Sequence, residues 1–529
     1  MRLPASVGEH RLWVFALIVI LAAALRLAAL DVRPMHTDEA VHAAKFARLL
    51  EQGLYEYDPE EFHGPTLNYL TLIPARMRGI GRYADLDEVT LRTVPAVVGI
   101  LLVAAHVLLV PIVGFRPAAL AALLAAVSPA MVYYSRYYIQ ETLLAAFSFG
   151  ALVSICRYVH TPRAGWAIAA GASVGLMAST KETWVIAFAS MAGALVAARV
   201  LERRRTGAPP CVRSGRTRID VAAAGLTALA VAGLLFSSFL SQPRGIVDSV
   251  ATYTTWVARA GGASWHIHPW HYYLGLLLYA GSGGSPAWTE AAILGLALIC
   301  LMVAVAGRRV PGGQRTLLTF LGGYAALMVI AYASIPYKTP WCVLGFLHAL
   351  ILLAGVGGAR LVEVWPARLA RPLAATILGA AVVHLGWLAW ASSVRFASDP
   401  RNPWVYAHTG TGVFEIARRV DALSRAHPLH AAMPIEVISG ENLWPLPWYL
   451  RRSTAVRWET APVNDGSHAP VILATPDMEG AIRQKLYEWR PPGERELYVP
   501  IFDAPVELRP QVEVRGYAAK SLWDRTVDR

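Results

Sequence analysis

Long apolar runs limit this chain more than any other feature. A helix crossing hydrocarbon needs about 20 mostly apolar residues, because in lipid every backbone N–H and C=O has to be satisfied within the segment. Roughly eleven stretches satisfy that rule. They are Leu12–Leu30, Leu91–Val113, Pro117–Tyr133, Thr142–Val159, Gly165–Ala178, Trp184–Leu201, Val221–Leu240, Ala287–Ala306, Thr316–Ile335, Trp341–Gly358 and Leu373–Ala391. The fifth is short and the third carries Pro129. The first follows basic residues, as a secretory signal would, but it is too long for an h-region and an acidic pair follows it directly, so it reads as a retained span. Only 16% of the residues are charged, against about 25% in a soluble domain, and many of the 17 Trp and 21 Tyr lie near the ends of the runs, where amphipathic rings prefer headgroup depth. The fold class is therefore an α-helical polytopic membrane protein with about 11 transmembrane helices.

The basic residues set the expected orientation. With the N-terminus in the cytoplasm, the inner loops become "GFRP", "RYVHTPRAG", "ERRRTGAPPCVRSGRTR", "GRRVPGGQR" and "ARLVEVWPARLARP", all short and basic. One outer stretch, "RMRGIGR", breaks the pattern and reads as interfacial. The net charge of +12 is thus a topology signal, and nucleic acid is excluded as a partner. The four cysteines are far apart, which suggests neither a disulfide framework nor a cysteine metal site.

After Ser392 no run is long enough to span. Short β-type segments, Pro434–Ser439, Pro470–Thr475 and Glu496–Phe502, alternate with helical patterns at Val413–Ala426 and Asp477–Trp489. That alternation predicts a small α/β domain over residues 393–529, on the extracytoplasmic side, after a transmembrane domain of residues 1–392 whose long first outer loop is 31–90.

The outer segments collect the unusual polar residues. "TDEAVHAAKFARLLEQG" reads as a helix with Thr37 as N-cap, and a second amphipathic stretch follows "HGP" at His63-Gly64-Pro65. "DEAVH" is one letter from a zinc helix, with Asp38 in place of the first His. A metal-free carboxylate base is preferred, so no cofactor is called, although a divalent metal stays possible. Adjacent residues on a helix do not share a face, so Asp38 and Glu39 should play different parts. Arg136 and Glu141 in "YYSRYYIQE", Lys181 and Glu182 in "STKETW", and Tyr337 and Lys338 in "IPYKTPW" fall at or near span ends, and Arg259 lies in the outer segment Ser241–Pro286. Ionised groups are expensive inside the bilayer and cheaper at its edge, where cations can hold a phosphate. The bland alternative makes each one a snorkelling anchor.

The Asp-Glu in the first outer loop, two interfacial helices, "HGP" and a multi-span body resemble the C-type (GT-C) glycosyltransferases, near the protein O-mannosyltransferases (family 39) and the aminoarabinose transferases. "NPWVYAHTGTGVFEIARRV" and "WPLPWYLR" (Trp444–Arg451) resemble the prokaryotic flippase-activity-associated membrane proteins. The resemblance implies a cell-membrane glycosyltransferase. Such an enzyme would take a sugar from a polyprenyl-phosphate donor and transfer it, with inversion, to an acceptor at the extracytoplasmic face. It makes Asp38 the base and Glu39 its neighbouring acid. His63 also fits its pattern, and Arg136, Lys181 and Lys338 match it more loosely as phosphate ligands; Glu141, Glu182 and Tyr337, from the outer-face cluster, complete the candidate substrate-binding set. The alternative is a non-catalytic flippase or flippase partner for a lipid-linked saccharide. A solute transporter fits less well, since its polar residues should lie at the midplane.

Overall fold

The computed structural model describes residues 9–61, 63–207, 216–261, 266–281, 283–306, 312–364, 370–464, 466 and 468–527. The basic segments 208–215, 307–311 and 365–369, read above as parts of inner loops, lie outside the described residues, as does the side chain of Arg259.

Among the described residues, eight helices are long and apolar enough to cross a membrane: Glu9–Leu27, Glu88–Val113, Glu141–His160, Trp184–Thr206, Thr217–Phe236, Arg315–Ser334, Pro340–Glu363 and Arg371–Arg395. Three shorter apolar helices, Phe115–Val127, Ala164–Ala178 and Ala291–Val305, fall on the other three runs of the sequence. The irregularities have local causes. The second run passes through a 3₁₀ turn at His106–Leu109, where Pro111 withdraws a backbone donor and crowds the preceding turn. The third run stops at Val127 because the residue before a proline is pushed out of the α region; Ser128 is extended (φ −60°, ψ 122°) and caps a new helix, Pro129–Tyr134. The carbonyls left open by that stop accept from Arg26, at 2.9 Å (Ala125) and 3.0 Å (Ala126).

The chain divides into two compact units. The first comprises Met1–Leu30, Gln52–Arg78 and Val89–Tyr406, and holds the membrane helices. Small residues let those helices approach closely. A Cβ on Gly171 would lie 2.1 Å from the carbonyl oxygen of Ala224, so the helix Ala164–Ala178 meets its neighbour Arg216–Phe236 backbone to backbone.

The second unit comprises Asp31–Glu51, Gly79–Glu88 and Ala407–Arg529. The sequence placed the division at 392/393; here it follows Tyr406, and two pieces of the first outer loop belong with the C-terminal residues. Among its described residues are six strands: β1 (Ile435–Ile438), β2 (Val456–Glu459), β3 (Val471–Ala474), β4 (Tyr498–Pro500), β5 (Val506–Arg509) and β6 (Val512–Ala519). The order is β2-β1-β3-β6-β4, with β5 also pairing β6. β1 runs parallel to β2 and β3, and β6 runs antiparallel to β3, β4 and β5. β1 and β3 are buried along their whole length, as central parallel strands require. The helices Gly412–Ala426 and Glu479–Tyr487 fall on the two predicted helical patterns. Val413, Ile416, Val420 and Leu423 on the first, and Ile482 and Leu486 on the second, are buried in the same core as the sheet.

Candidate active site

The helix Thr37–Gln52 carries the Asp38-Glu39 pair, and its first turn separates their fates. The cap position is taken by His36, one residue before the predicted Thr37: the Ala40 N–H donates to the His36 carbonyl at 3.0 Å, and His36 Nδ1 accepts the Asp38 N–H at 3.1 Å. Glu39, three residues on, accepts the His36 N–H at 2.9 Å, the half of a capping box in which the third residue reaches back to the cap. Glu39 also takes both terminal nitrogens of Arg33, at 3.0 and 3.1 Å, and its side chain is 0% exposed. Asp38 faces the other way, with 45% of its side chain exposed. A fully engaged, buried carboxylate holds structure; a half-exposed one at a helix N-terminus is available to a substrate.

Residues of the same unit clasp this turn from several sides. Tyr449 accepts the Met35 N–H at 2.9 Å, Thr409 donates to the Met35 carbonyl at 2.7 Å, and Thr37 donates to the Trp444 carbonyl at 3.3 Å. The Trp448 indole N–H donates to Glu88 at 2.8 Å, while Arg451 stacks on that indole (3.8 Å) and donates to the Leu86 carbonyl. The "WPLPWYLR" segment therefore binds both first-loop pieces of its unit. The sequence reading missed Arg33, Thr409 and Tyr449; the tail motif was the available signal, but nothing in its letters says what it holds.

In the membrane unit, the "HGP" turn packs on the "STKE" turn. A Cβ on Gly64 would lie 2.2 Å from the Ser179 carbonyl oxygen, and Thr66 donates to that oxygen twice, from its N–H at 3.1 Å and its hydroxyl at 2.6 Å. Only glycine permits this approach. It sets His63 Nδ1 2.6 Å from Glu182, whose other oxygen accepts from Tyr57 at 3.3 Å. The His63 ring stacks on Trp256 (4.8 Å), from the helix Arg244–Gly261. Burial pushes the Glu182 carboxyl upward, but the His63 contact outweighs it and holds the group below its ordinary value.

The next residue turns elsewhere. Lys181 is buried and forms a short ion pair with Glu141. Burial alone would lower its ammonium, but Glu141 more than compensates and the net shift is upward. Beneath the pair a narrow crevice descends between helices, past Ser148, Met328, Tyr332, Trp341 and Leu344. Lys338 sits in a loop held by a bridge between Tyr337 and Ile267, with its N–H donating to the His266 carbonyl at 2.9 Å. Its ammonium donates to the Ile335 carbonyl, and burial shifts it downward. His266 and His268 both contact the Tyr406 hydroxyl, at 2.7 and 3.1 Å, and the His266 ring lies 4.7 Å from Tyr337. These two histidines and Tyr406 were not singled out from the sequence, beyond the aromatic richness of that loop.

Arg136 is used differently again. Its guanidinium donates to the carbonyls of Leu25 (3.1 Å), Ala28 (2.5 Å), Ala29 (2.7 Å) and Ser393 (3.4 Å), which closes the C-terminal end of the first span. Glu290, also outside the sequence reading, is fully buried and accepts from the Ser128 hydroxyl (2.9 Å) and the Ala130 N–H (2.8 Å), which fixes the break between two helices. Among the described residues, no three His, Cys, Asp or Glu side chains are grouped as for a metal ion.

Residues 16–236 match the profile of the family described as dolichyl-phosphate-mannose-protein mannosyltransferase. The structure is similar to that of ArnT from Cupriavidus metallidurans in the apo state, with TM-score 0.64 and 15% identity over 97% of this chain and 99% of that one. ArnT bound to undecaprenyl phosphate gives the same score and identity over 95% and 98%. The archaeal oligosaccharyltransferase AglB from Archaeoglobus fulgidus, in complex with an inhibitory peptide and a dolichol-phosphate, matches at TM-score 0.54 and 13% identity over 91% and 70%. A comparison with curated proteins gives no match. The chain has the C-type glycosyltransferase fold, and it is a multi-span membrane protein. The flippase-partner alternative gains no support from these likenesses.

Proposed function

From a chain with this fold and with a mannosyltransferase-family profile over residues 16–236, we propose a membrane transferase that moves a sugar from a polyprenyl-phosphate donor to an acceptor hydroxyl. ArnT and AglB have been observed with undecaprenyl phosphate and dolichol-phosphate, and donors of that class suit a site at span ends. The observation that carries the reading is the split carboxylate pair: Glu39 is locked by Arg33 and the His36 N–H, and Asp38 is left half exposed.

Asp38 takes the acceptor proton. The acceptor attacks the anomeric carbon and inverts it, and the lipid phosphate leaves with the bonding pair. That phosphate needs its charge neutralised rather than a proton. Lys338 is the first choice for this task, since its ammonium has a carbonyl partner and no carboxylate within ion-pair distance among the described residues. Lys181 supplies a second positive group, already balanced by Glu141. Tyr337 and the His266–His268–Tyr406 cluster offer ring faces and hydroxyls to a sugar. Arg136 serves the fold, and His63–Glu182 positions the "STKE" turn. The basic ends of the spans face the cytoplasm in this reading, and transfer takes place outside. The test is to incubate purified protein with a panel of polyprenyl-phosphate sugars and measure lipid-phosphate release. No release from any donor in the presence of acceptor extracts would refute the reading.

A further inference from the structure

At the end of the spans opposite Lys338, the membrane unit carries a cavity that the proposed transfer does not use. Its volume is about 480 Å³, within the ~300–1,000 Å³ typical of ligand sites. Its polar lining is Arg11, Arg116, Arg360 and Glu363. Arg11 lies in the first turn of the span Glu9–Leu27, Arg116 follows the span that ends at Val113, and Arg360 and Glu363 close the span Pro340–Glu363. All four therefore sit at one level, where short basic loops join the helices. Glu363 is 3.3 Å from Arg360 and 3.7 Å from Arg116, and the Arg11 guanidinium lies over the Phe115 ring at 5.3 Å. Three guanidiniums against one carboxylate leave the lining at +2.

The remaining lining is apolar, with Val113, Phe115, Leu317 and Val356 among it. An occupant matched to both parts has an anionic head and an apolar tail. Guanidiniums favour phosphate through paired N–H donors, and basic pockets between helices at this level suit anionic lipid headgroups.

We propose that this cavity binds an anionic phospholipid of the adjacent leaflet, its phosphate between Arg11, Arg116 and Arg360 and its acyl chains leaving along the apolar part of the same lining. The site is independent of the transfer reading, because none of its residues is assigned to that reaction.

Native mass spectrometry of the full-length protein in detergent tests this, with phosphatidylglycerol, phosphatidylcholine and inorganic phosphate as probes. Wild type should retain one phosphatidylglycerol roughly 10-fold more tightly than phosphatidylcholine, and millimolar inorganic phosphate should not displace it. The double variant Arg11→Gln/Arg116→Gln should lose that preference. Glu363→Gln removes the competing carboxylate and should raise phosphatidylglycerol retention about 2- to 5-fold. Equal retention of the two lipids by wild type, or displacement by inorganic phosphate, would overturn the proposal. So would undiminished retention in the double variant. Should that variant fail to fold, Glu363→Gln decides alone: unchanged or lower retention sinks the site.

Discussion

Consider replacing Glu39 by Gln. The carboxylate accepts three hydrogen bonds, from the two terminal nitrogens of Arg33 (3.0 and 3.1 Å) and from the His36 N–H (2.9 Å), and it is wholly buried. Gln keeps the shape but turns one acceptor into an NH₂ facing donors, and it leaves the Arg33 charge buried beside an amide. Breaking a buried pair from one side costs about 3–5 kcal/mol, and the retained amide oxygen puts this case near the lower end, about 3 kcal/mol. The helix Thr37–Gln52 should therefore open locally about 100-fold more often. Hydrogen exchange of the Ala40–Ala44 amides, followed by mass spectrometry in detergent, reads that opening directly. The double variant Arg33→Met/Glu39→Met removes both charges together. It should recover most of the protection and fall short by about 1 kcal/mol, because the His36 N–H loses its acceptor. Asp38→Asn should leave the protection unchanged. If Glu39→Gln exchanges within threefold of wild type, or if the double variant is as labile as the single, Glu39 does not hold this turn and the division of labour between the two carboxylates fails.

Three further outcomes follow from the same geometry. Asp38→Asn should fold and bind donor but release lipid phosphate about 10²–10⁴-fold more slowly; an unchanged rate removes Asp38 from the chemistry. Lys338→Gln should weaken binding of a polyprenyl phosphate by roughly 10- to 100-fold, measured by native mass spectrometry, and equal binding would make it an anchor only. Because Glu182 is held below its ordinary value of 4.5, its contribution to stability is fully present above about pH 4.5 and is lost as pH falls through its lowered value. The melting temperature of wild type should thus drop more steeply than that of Glu182→Gln as pH falls below about 4.5; parallel curves would refute the sign.

Much of the fold could be read because lipid imposes one rule on every span. Among the described residues, the eight long and three shorter apolar helices all fall on runs chosen by length and hydropathy, and the break at Pro129 was visible as a letter, whereas the 3₁₀ turn before Pro111 was not singled out. The C-terminal sheet was half legible. β3 reads as a continuous apolar segment and β1 as one interrupted only by Glu436, which is buried against Lys485, but β2 ("VRWE") and β5 ("VELR") alternate charge with apolar residues over only four positions. So short an alternation is hard to tell from a loop. β6 is longer, yet its Arg515-Gly516 step interrupts the pattern where it pairs with Leu473 and Ala474 of β3.

The candidate site was legible as a set of residue types and illegible as a set of partners. Span-end position marked Arg136, Lys181 and Lys338 alike, since each is a cation where an uncharged residue would cost less. Their surroundings differ for reasons far away in the chain: the open carbonyls of Leu25–Ala29 claim Arg136, Glu141 claims Lys181, and Lys338 is left with a carbonyl of its own loop. The same holds for the carboxylates. "DE" at a helix start gives two acids in one turn, and the 100° step between them guarantees different neighbours without saying which acid is buried. That choice rests with Arg33, five residues before Asp38, and with Tyr449 and Thr409, about 400 residues downstream. The tail that clasps the first loop therefore bears on Asp38 through the backbone of Met35 and the side chain of Thr37. Tyr449→Phe, remote in sequence and conservative in shape, removes the acceptor of the Met35 N–H and should slow lipid-phosphate release without touching Asp38; an unchanged rate would show that the turn holds without it.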